Sequence, residues 1–309
     1  MFLSKDFIET AEGLRFAVVV NGIEQDKVLC FLRYMHTSEG WLKVDTEQAN
    51  ELLTQQHSHY LHYSSVLDTY LHAVEIPQIL KHHQPRQRLQ QLLNQTNLDA
   101  IETDLLHLCQ LLQQGGVDLT QLGVTGSLLL GVQKSGSDID IVCYNRAVFH
   151  QCRELMSQLL EQGALQDLYE ADWRDSYQRR AGELSYADYV WHERRKLNKA
   201  LVNYRKFDLS LLEPTLDTES IRYQKRGSVI VQTKVADDYY AFDYPAVFKL
   251  DHDEFTEVVS FTATYTGQAQ TGEWIEVSGQ VEQTPEGLKR LVVGSTREAQ
   301  GEYIKVING

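Results

Sequence analysis

The middle of the chain, residues 121–216, alternates apolar strand-like runs with amphipathic helical stretches, and this alternation constrains the fold more than any other feature. Strands are predicted at Leu122–Thr125, Asp138–Tyr144 and Lys206–Leu212, the last one ended by Pro214. Helices are predicted at Ser127–Gly131, Arg146–Gln162 and 185–200. In the helical stretches apolar residues recur at steps of three and four, which is the spacing of one buried helix face. Strands and helices in alternation predict an α/β unit.

The first part of the chain predicts an α+β module over residues 1–84. Its strand-like runs Leu14–Val20 and Val28–Met35 are separated by Asn21-Gly22 and a charged turn, which favours a hairpin. A helix is predicted at Asp45–Thr54, with the aspartate as its N-cap because a short carboxylate can accept from the free amides of the first turn.

Residues 85–113 predict one or two helices. They begin at Pro85, which suits the first turn of a helix, and end before Gly115-Gly116. We expect these helices and the alternating segment to form one core unit, residues 85–216.

The last part of the chain, residues 217–309, predicts strands only, separated by glycine-containing turns. The five strand candidates are Ser228–Val235, Val258–Thr266, Trp274–Glu282, Leu288–Ser295 and Tyr303–Ile307. Five short strands at this spacing predict a small antiparallel β-barrel, OB-like in one version, or a sandwich.

Charge and composition exclude several classes of protein. The chain has 309 residues and a net charge of −14, which disfavours a broadly basic coat for nucleic acid or anionic membrane. No apolar run approaches the ~18 residues of a membrane helix, and the acidic start does not resemble a signal peptide. The four cysteines are scattered without a CxxC pair, which favours a reducing, cytoplasmic setting: Cys30, Cys109, Cys143 and Cys152.

One segment has the opposite charge. Residues 1–120, 121–216 and 217–309 carry −7, −1 and −6, yet residues 179–206 alone carry +5. In the predicted helix Arg195 and Lys199 lie one turn apart. They are candidate nucleotide contacts that clamp the phosphates or the acceptor, and the alternative is an ordinary solvated helix face.

Gly126-Ser127 is followed after ten residues by Asp138-Ile139-Asp140. The two aspartates project from one face of a strand, and at an effective dielectric of 20 they repel by about 2–3 kcal/mol, so they favour bound cations such as Mg²⁺. Ser127 opens a helix and offers a hydroxyl and free amides to a triphosphate. Asp208, an acid within an apolar strand, is the candidate third carboxylate.

These residues resemble the DNA polymerase β-like nucleotidyltransferase superfamily, whose minimal pattern is GS, about ten residues, DxD, and a later Asp on a strand. The match covers 122–144 and extends to 205–212. More loosely, the chain is similar to a family of uncharacterised predicted nucleotidyltransferases that carry this core between N- and C-terminal extensions. The resemblance implies that Asp138 and Asp140 hold two metal ions and that Asp208 holds the catalytic one and helps activate the acceptor.

The resemblance also implies that Ser127, preceded by Gly126, contacts the β- and γ-phosphates. Lys134 and Ser137, between the glycine-serine turn and the first aspartate, are further candidate nucleotide contacts. The expected reaction is transfer of a nucleoside monophosphate from an NTP to a hydroxyl with release of pyrophosphate, using two Mg²⁺ ions or Mn²⁺ in their place. The acceptor is open between a short or structured RNA, a protein side chain and a small molecule. The alternative function is a nucleotide-binding sensor or scaffold without turnover.

Residues 57–83 are rich in histidine and tyrosine. Transition-metal binding, contacts to bases or acceptor, and ordinary packing are three hypotheses for the histidines: His57, His59, His62, His72, His82 and His83. The neighbouring tyrosines and Trp274 could stack on bases, although core positions are the more frequent role of such residues.

Overall fold

The computed structural model describes residues 1–64, 69–180, 182–213, 223–295 and 299–307. The chain forms two compact units, one of Met1–Val148 with Phe207–Leu216 and one of Phe149–Lys206 with Asp217–Gly309. Pro214 and the predicted boundary at 216/217 lie outside the described residues.

The first elements, in chain order, are β1 (Phe7–Thr10), β2 (Leu14–Val18), β3 (Lys27–Thr37), β4 (Gly40–Lys43), α1 (Thr46–Gln56), β5 (Leu61–Ser64), β6 (Thr69–Glu75), β7 (Ile79–His83), α2 (Pro85–Leu93), α3 (Ala100–Gln114), β8 (Leu122–Val124), α4 (Gly126–Leu130) and β9 (Ile139–Cys143). They are followed by α5 (Arg146–Glu161), α6 (Glu170–Arg180), α7 (Tyr186–Arg195), β10 (Lys199–Val202), β11 (Arg205–Leu211), β12 (Gln224–Asp237), β13 (Ala246–Asp251), β14 (Phe255–Ser260), β15 (Trp274–Gln283), β16 (Lys289–Val293) and β17 (Tyr303–Val306).

A sheet with the order β5-β6-β3-β2-β1-β7, with β4 added beside β3, forms the N-terminal part of the first unit. One face of this sheet and helix α1 enclose a core that includes Phe16, Leu32 and Leu53. Asp45 caps α1 as predicted, since its carboxylate accepts from the Gln48 amide at 2.9 Å. The predicted α+β character of this part is therefore confirmed.

A second sheet in the same unit contains the motif. Three of its four strands belong to this unit, in the order β11-β9-β8, with β11 parallel and β8 antiparallel to β9. Helices α2 and α3 begin and end close to the predicted residues, with Pro85 in the first turn of α2 and Gly115 at the end of α3.

The second unit contains a closed five-stranded β-barrel. The strand order is β12-β13-β14-β16-β15, and β15 pairs back with β12 to close it, while β17 adds to the outside of β15. Strands β14 and β16 pair in parallel, and the other barrel pairs are antiparallel. Fully buried side chains fill the interior: Phe248, Val258, Ile275, Val277, Leu291 and Val293. The predicted C-terminal barrel is confirmed, but it is not wholly antiparallel as expected, since β14 and β16 are parallel; the chain is a mixed α/β protein.

Several element predictions were wrong in detail. The predicted strand Val258–Thr266 ends at Ser260 and is followed by a 3-10 turn, while β13 was not predicted and takes the place in the barrel that the prediction gave to β17. The predicted helix 185–200 ends at Arg195, and Lys199 begins a strand. Lys199 and Arg195 therefore do not share a helical turn. None of the described helices has the length and apolar character needed to span a bilayer.

Candidate active site

The turn between β8 and α4 is held against β9 by the backbone. The Thr125 amide donates to the Asp140 carbonyl at 2.9 Å. Gly126 follows with φ +66°, a left-handed conformation that glycine adopts without steric cost. A Cβ atom at this position would overlap the Asp140 carboxylate. Glycine is therefore needed at 126 both for the backbone conformation and for the close approach of Asp140.

Ser127 lies in the first turn of α4, which has only five residues and ends at Gly131. The predicted start of this helix is correct within one residue. The macrodipole of so short a helix is weak, because few peptide dipoles align along it. Any phosphate binding at this turn would depend on the Ser127 hydroxyl and the nearby amides rather than on a macrodipole.

The three predicted carboxylates lie on neighbouring strands. Asp208 of β11 pairs directly with Asp140 of β9 in parallel register, and Asp138 lies two residues before Asp140, just outside the strand. Ile139, between Asp138 and Asp140, and Phe207, immediately before Asp208, are buried. The three aspartates are half-buried. Because side chains alternate between the faces of a strand, Asp140 and Asp208 lie side by side on the face opposite this apolar layer.

Neighbouring strands are about 4.8 Å apart, so two ionised carboxylates in direct register repel by about 3 kcal/mol at an effective dielectric of 20. Within the described ranges, no group of three or more His, Cys, Asp or Glu side chains is gathered closely enough to hold a metal ion. The register thus brings the carboxylates to one face of the sheet, but they do not form a closed ligand set.

The N-terminal sheet packs on α4 through its second face. Phe7 and Tyr34 form an apolar cluster with Leu129 and Leu130 of α4. Burial raises the pKa of the Tyr34 phenol; the positive charge of Arg33 opposes this rise, and the negative charge of Asp140 adds to it. Sequence reasoning missed Tyr34, because nothing in an apolar strand tells which distant residue it will face.

Arg15 is a second residue that sequence reasoning missed. Its guanidinium donates to the Leu130 carbonyl in the last turn of α4 at 3.3 Å and to the Glu9 carboxylate at 2.8 Å, and it lies 3.6 Å over the Trp41 ring. A charged residue between the apolar Leu14 and Phe16 indicated that Arg15 needs a polar partner, but the sequence did not show which residues that partner would be. Arg15 ties the C-terminal end of α4 to the N-terminal sheet.

Lys134 and Ser137, two predicted nucleotide contacts, close a turn before Asp138. The Lys134 amide donates to the Ser137 hydroxyl at 3.0 Å, and the Ser137 amide donates to the Lys134 carbonyl at 2.8 Å. The Lys134 side chain is exposed. The turn sets the direction in which the chain enters β9, and a phosphate contact by either residue stays a prediction.

Arg195 and Lys199 belong to the second unit and have partners within it. Arg195 forms an ion pair with Glu273, and Lys199 forms one with Glu193, which also binds Lys196. Lys196 and Glu193 are buried, and the Lys196 ammonium also donates to the Thr264 carbonyl at 2.6 Å. These contacts fix α7 to the barrel, so this part of the basic segment is not an ordinary solvated helix face.

The charges within this cluster stabilise one another. Burial alone would raise the pKa of Glu193, but Lys196 and Lys199 outweigh it and lower that pKa to about 2. Burial lowers the pKa of Lys196, and Glu193 opposes that shift. Glu193 therefore stays ionised between two lysines, and a role of Arg195 and Lys199 in nucleotide binding stays a prediction.

The histidines of residues 57–83 have several protein partners. His82 contacts Asp6 at 2.7 Å and His83 contacts Glu9 at 3.1 Å. His72 is buried; it accepts from the Leu32 amide at 3.0 Å and contacts the Asn50 side-chain oxygen at 2.8 Å. These contacts favour the packing hypothesis for these three.

Comparison with known proteins places the chain in a family. It is 34% identical to uncharacterized protein MJ1086 of Methanocaldococcus jannaschii over an alignment of 335 residues, which covers 98% of each chain. The chain belongs to the family of MJ1086. No protein-family model and no solved structure matches the chain. Membership in the MJ1086 family extends over both compact units, but it brings no activity with it.

Proposed function

We propose that the protein is a magnesium-dependent nucleotidyltransferase, which moves a nucleoside monophosphate from an NTP to a hydroxyl and releases pyrophosphate. The observation that carries the proposal is the direct parallel pairing of Asp208 with Asp140, two residues from Asp138. Carboxylates on one sheet face beside a glycine-serine turn are a suitable donor set for two-metal phosphoryl chemistry. The resemblance to polymerase β-like nucleotidyltransferases supports the same assignment.

The chemistry of the three carboxylates fits magnesium, or Mn²⁺ in its place, although the described side chains are not gathered into a complete ligand set. Asp138 and Asp140 would hold both ions and Asp208 one of them, since Mg²⁺ is bound by a few carboxylates together with substrate phosphates. The missing side chain at Gly126 lets the Asp140 carboxylate lie directly against the glycine-serine turn. When bound, the two ions would neutralise charge on the α-phosphate and on the departing pyrophosphate.

The chain's own groups then bind and orient the reactants. Ser127 donates a hydrogen bond to the β- or γ-phosphate. The acceptor oxygen forms a bond to the α-phosphorus, while the bond from that phosphorus to the oxygen bridging to the β-phosphorus breaks. Pyrophosphate leaves with the electron pair of that bond, and Asp208 receives the proton of the acceptor hydroxyl. Little covalent help from the protein is required, because positioning and charge dominate phosphoryl transfer.

For the second unit we propose an OB-like barrel. Counted along the chain its strands have the order 1-2-3-5-4 and close onto strand 1, with strands 3 and 5 parallel. OB barrels bind oligonucleotides and oligosaccharides, which favours a short RNA among the three acceptor classes. Trp274 is 49% exposed and is therefore not a core residue, so the prediction that it stacks on a base is retained. The four cysteines are free and buried, which supports the proposed cytoplasmic setting.

Label transfer tests the proposed function. Purified protein is incubated with Mg²⁺ and each α-labelled NTP in turn, alone, with total RNA, and with cell lysate. We expect label transfer to one acceptor class with release of pyrophosphate, and loss of both in Asp138→Asn.

Asp26→Asn is the matched control. Asp26 is an exposed carboxylate of the same unit with φ +62°, a conformation that asparagine also tolerates. Transfer that survives in Asp138→Asn would contradict the proposal. Tight NTP binding without turnover in any acceptor mixture would favour the sensor or scaffold instead.

A further inference from the structure

Lys5 occupies an unusual backbone position immediately before β1. Its φ is +74°, in the left-handed region, and its side chain is exposed although the neighbours Ser4 and Asp6 are buried. A left-handed conformation costs roughly 1–2 kcal/mol for a residue with a Cβ, and glycine avoids that cost. Such a conformation persists only where the surrounding structure fixes it.

Hydrogen bonds fix Lys5 on both sides. Its amide donates to the Val18 carbonyl at 3.1 Å, and the Asp6 amide donates to the Leu3 carbonyl at 3.1 Å, which closes the turn. Its own carbonyl accepts from the Thr125 hydroxyl at 2.6 Å. The backbone of Lys5 is therefore bound directly to the residue that precedes Gly126.

The same segment lies against the sheet that carries the carboxylates. Leu3 packs on Val142 of β9 and on Tyr144 and Leu212, which directly follow β9 and β11. The Thr125 amide in turn donates to the Asp140 carbonyl. The Lys5 backbone thus lies one hydrogen bond from the residue that precedes Gly126 and two from the Asp140 backbone.

The Lys5 ammonium makes no ion pair with any residue in the described part of the chain. Three carboxylates and a bound triphosphate would carry about seven negative charges against four on two Mg²⁺ ions, so a cation is needed beside the phosphates. Of the three predicted cations, Arg195 and Lys199 already have carboxylate partners, and Lys134 lies on the turn before Asp138 as an exposed candidate beside Lys5. Lys5 carries a positive charge, and its backbone is bound to the turn that is proposed to hold the phosphates.

We propose that Lys5 binds the triphosphate of the NTP substrate, as an ammonium supplied by the N-terminal segment to the site of the core. This role rests on the proposed nucleotidyl transfer. The left-handed turn fixes the Lys5 backbone, and the bond between its carbonyl and Thr125 couples that backbone to the glycine-serine turn.

Binding of the α,β-methylene analogues of the four NTPs with Mg²⁺, measured by calorimetry, tests the proposal. Lys5→Gln should weaken binding about tenfold or more, because a charge-assisted hydrogen bond is lost. Lys5→Arg keeps the charge and should stay within about threefold of wild type. Lys5→Gly should bind as poorly as Lys5→Gln while its melting temperature stays equal or rises, which separates a lost contact from a lost fold.

Two further variants complete the measurement. Lys81→Gln removes an exposed lysine of the same unit and should bind as wild type does. Asp140→Asn should bind none of the analogues. Unchanged binding in Lys5→Gln, with binding lost in Asp140→Asn, would overturn the role of Lys5 alone. If wild type binds none of the four analogues, the proposed function and the role of Lys5 are both overturned.

Discussion

Gly126 and Gly131 show how a single position can be constrained for two different reasons. Both have a left-handed backbone, with φ of +66° and +65°. A Cβ at Gly131 meets nothing within 4 Å, whereas a Cβ at Gly126 overlaps the Asp140 carboxylate. Local backbone strain is therefore common to both positions, and the contact with a carboxylate is specific to Gly126.

Gly126→Ala should consequently cost more than Gly131→Ala. At Gly131 we expect about 1 kcal/mol of destabilisation, the usual free-energy cost of placing alanine in a left-handed conformation. At Gly126 we expect about 2 kcal/mol or more, because the Asp140 side chain must also move. Urea denaturation of both variants measures the difference. Equal losses would show that the Asp140 carboxylate does not need the space at 126.

Asp140 itself should affect activity without supporting the fold. Because Asp140 and Asp208 repel each other when both are ionised, Asp140→Asn should leave the free energy of unfolding unchanged or raise it by about 1 kcal/mol in metal-free buffer. Label transfer should be lost. Chemical denaturation in the presence of a chelator checks the first statement, and a marked destabilisation would mean that Asp140 is a structural residue.

At the scale of single elements, α4 is too short to be stable alone and depends on its contacts with the N-terminal sheet. Arg15 supplies one of them by donating to the Leu130 carbonyl while it pairs with Glu9. Hydrogen bonds from Arg15 and His83 outweigh the effect of burial on Glu9, and its pKa is lowered. The helix that presents Ser127 is thus stabilised by a buried ion pair outside the motif.

Arg15→Met should destabilise the protein by about 3 kcal/mol, because it leaves the Glu9 carboxylate poorly compensated in a largely buried place. Lys27→Met, which removes an exposed ion pair with Glu75, should cost less than about 1 kcal/mol. Urea denaturation compares them. Similar small losses in both variants would show that Arg15 does not hold α4.

Elements with strong local signals could be predicted from the sequence. The Asp45 cap of α1, Pro85 in the first turn of α2 and the strand after Asp138 each depend on residues next to one another. The prediction failed where tertiary pairing decides. Strand β13 alternates apolar and polar residues, but it follows Tyr244-Pro245, a pair typical of a turn. Lys199 continues the helical pattern of the preceding residues, yet it begins a strand.

The candidate site divides in the same way. The carboxylates and the glycine-serine turn could be found because their spacing is a property of the sequence. The direct pairing of Asp140 with Asp208 required the strand register, since 67 residues separate the two. The contributions of Arg15, Tyr34 and Lys5 come from over 90 residues earlier in the chain, and no periodic pattern links them to α4 or β9.

At the scale of the whole molecule, the described part of each compact unit contains a neutral histidine that is almost fully buried, His72 in the first and His192 in the second. In the first unit burial lowers the pKa of His72 to about 4, and in the second burial lowers that of His192 to about 4. His192 bridges α7 and β17: its Nε2 accepts from the Val306 amide at 3.0 Å, and its Nδ1 donates to the Asp188 carbonyl at 2.7 Å.

These histidines predict acid sensitivity in both units. Their folded pKa lies below the ordinary value of 6.5, so their full contribution to stability is present above pH 6.5 and is lost as the pH falls toward 4. Each contributes up to about 3 kcal/mol over this window. Hydrogen exchange at several pH values should show a weaker pH dependence in the first unit for His72→Gln and in the second for His192→Gln. An unchanged dependence in both variants would contradict this explanation.

The central claim is that Asp138, Asp140 and Asp208 together hold divalent metal and nucleotide. Titration of Mn²⁺ followed by electron paramagnetic resonance, with and without an α,β-methylene NTP analogue, tests this claim directly. We expect Mn²⁺ binding that the analogue strengthens in wild type and in Asp26→Asn, and that is lost in Asp140→Asn and in Asp208→Asn. Equal Mn²⁺ binding in wild type and in both of these carboxylate variants would contradict it.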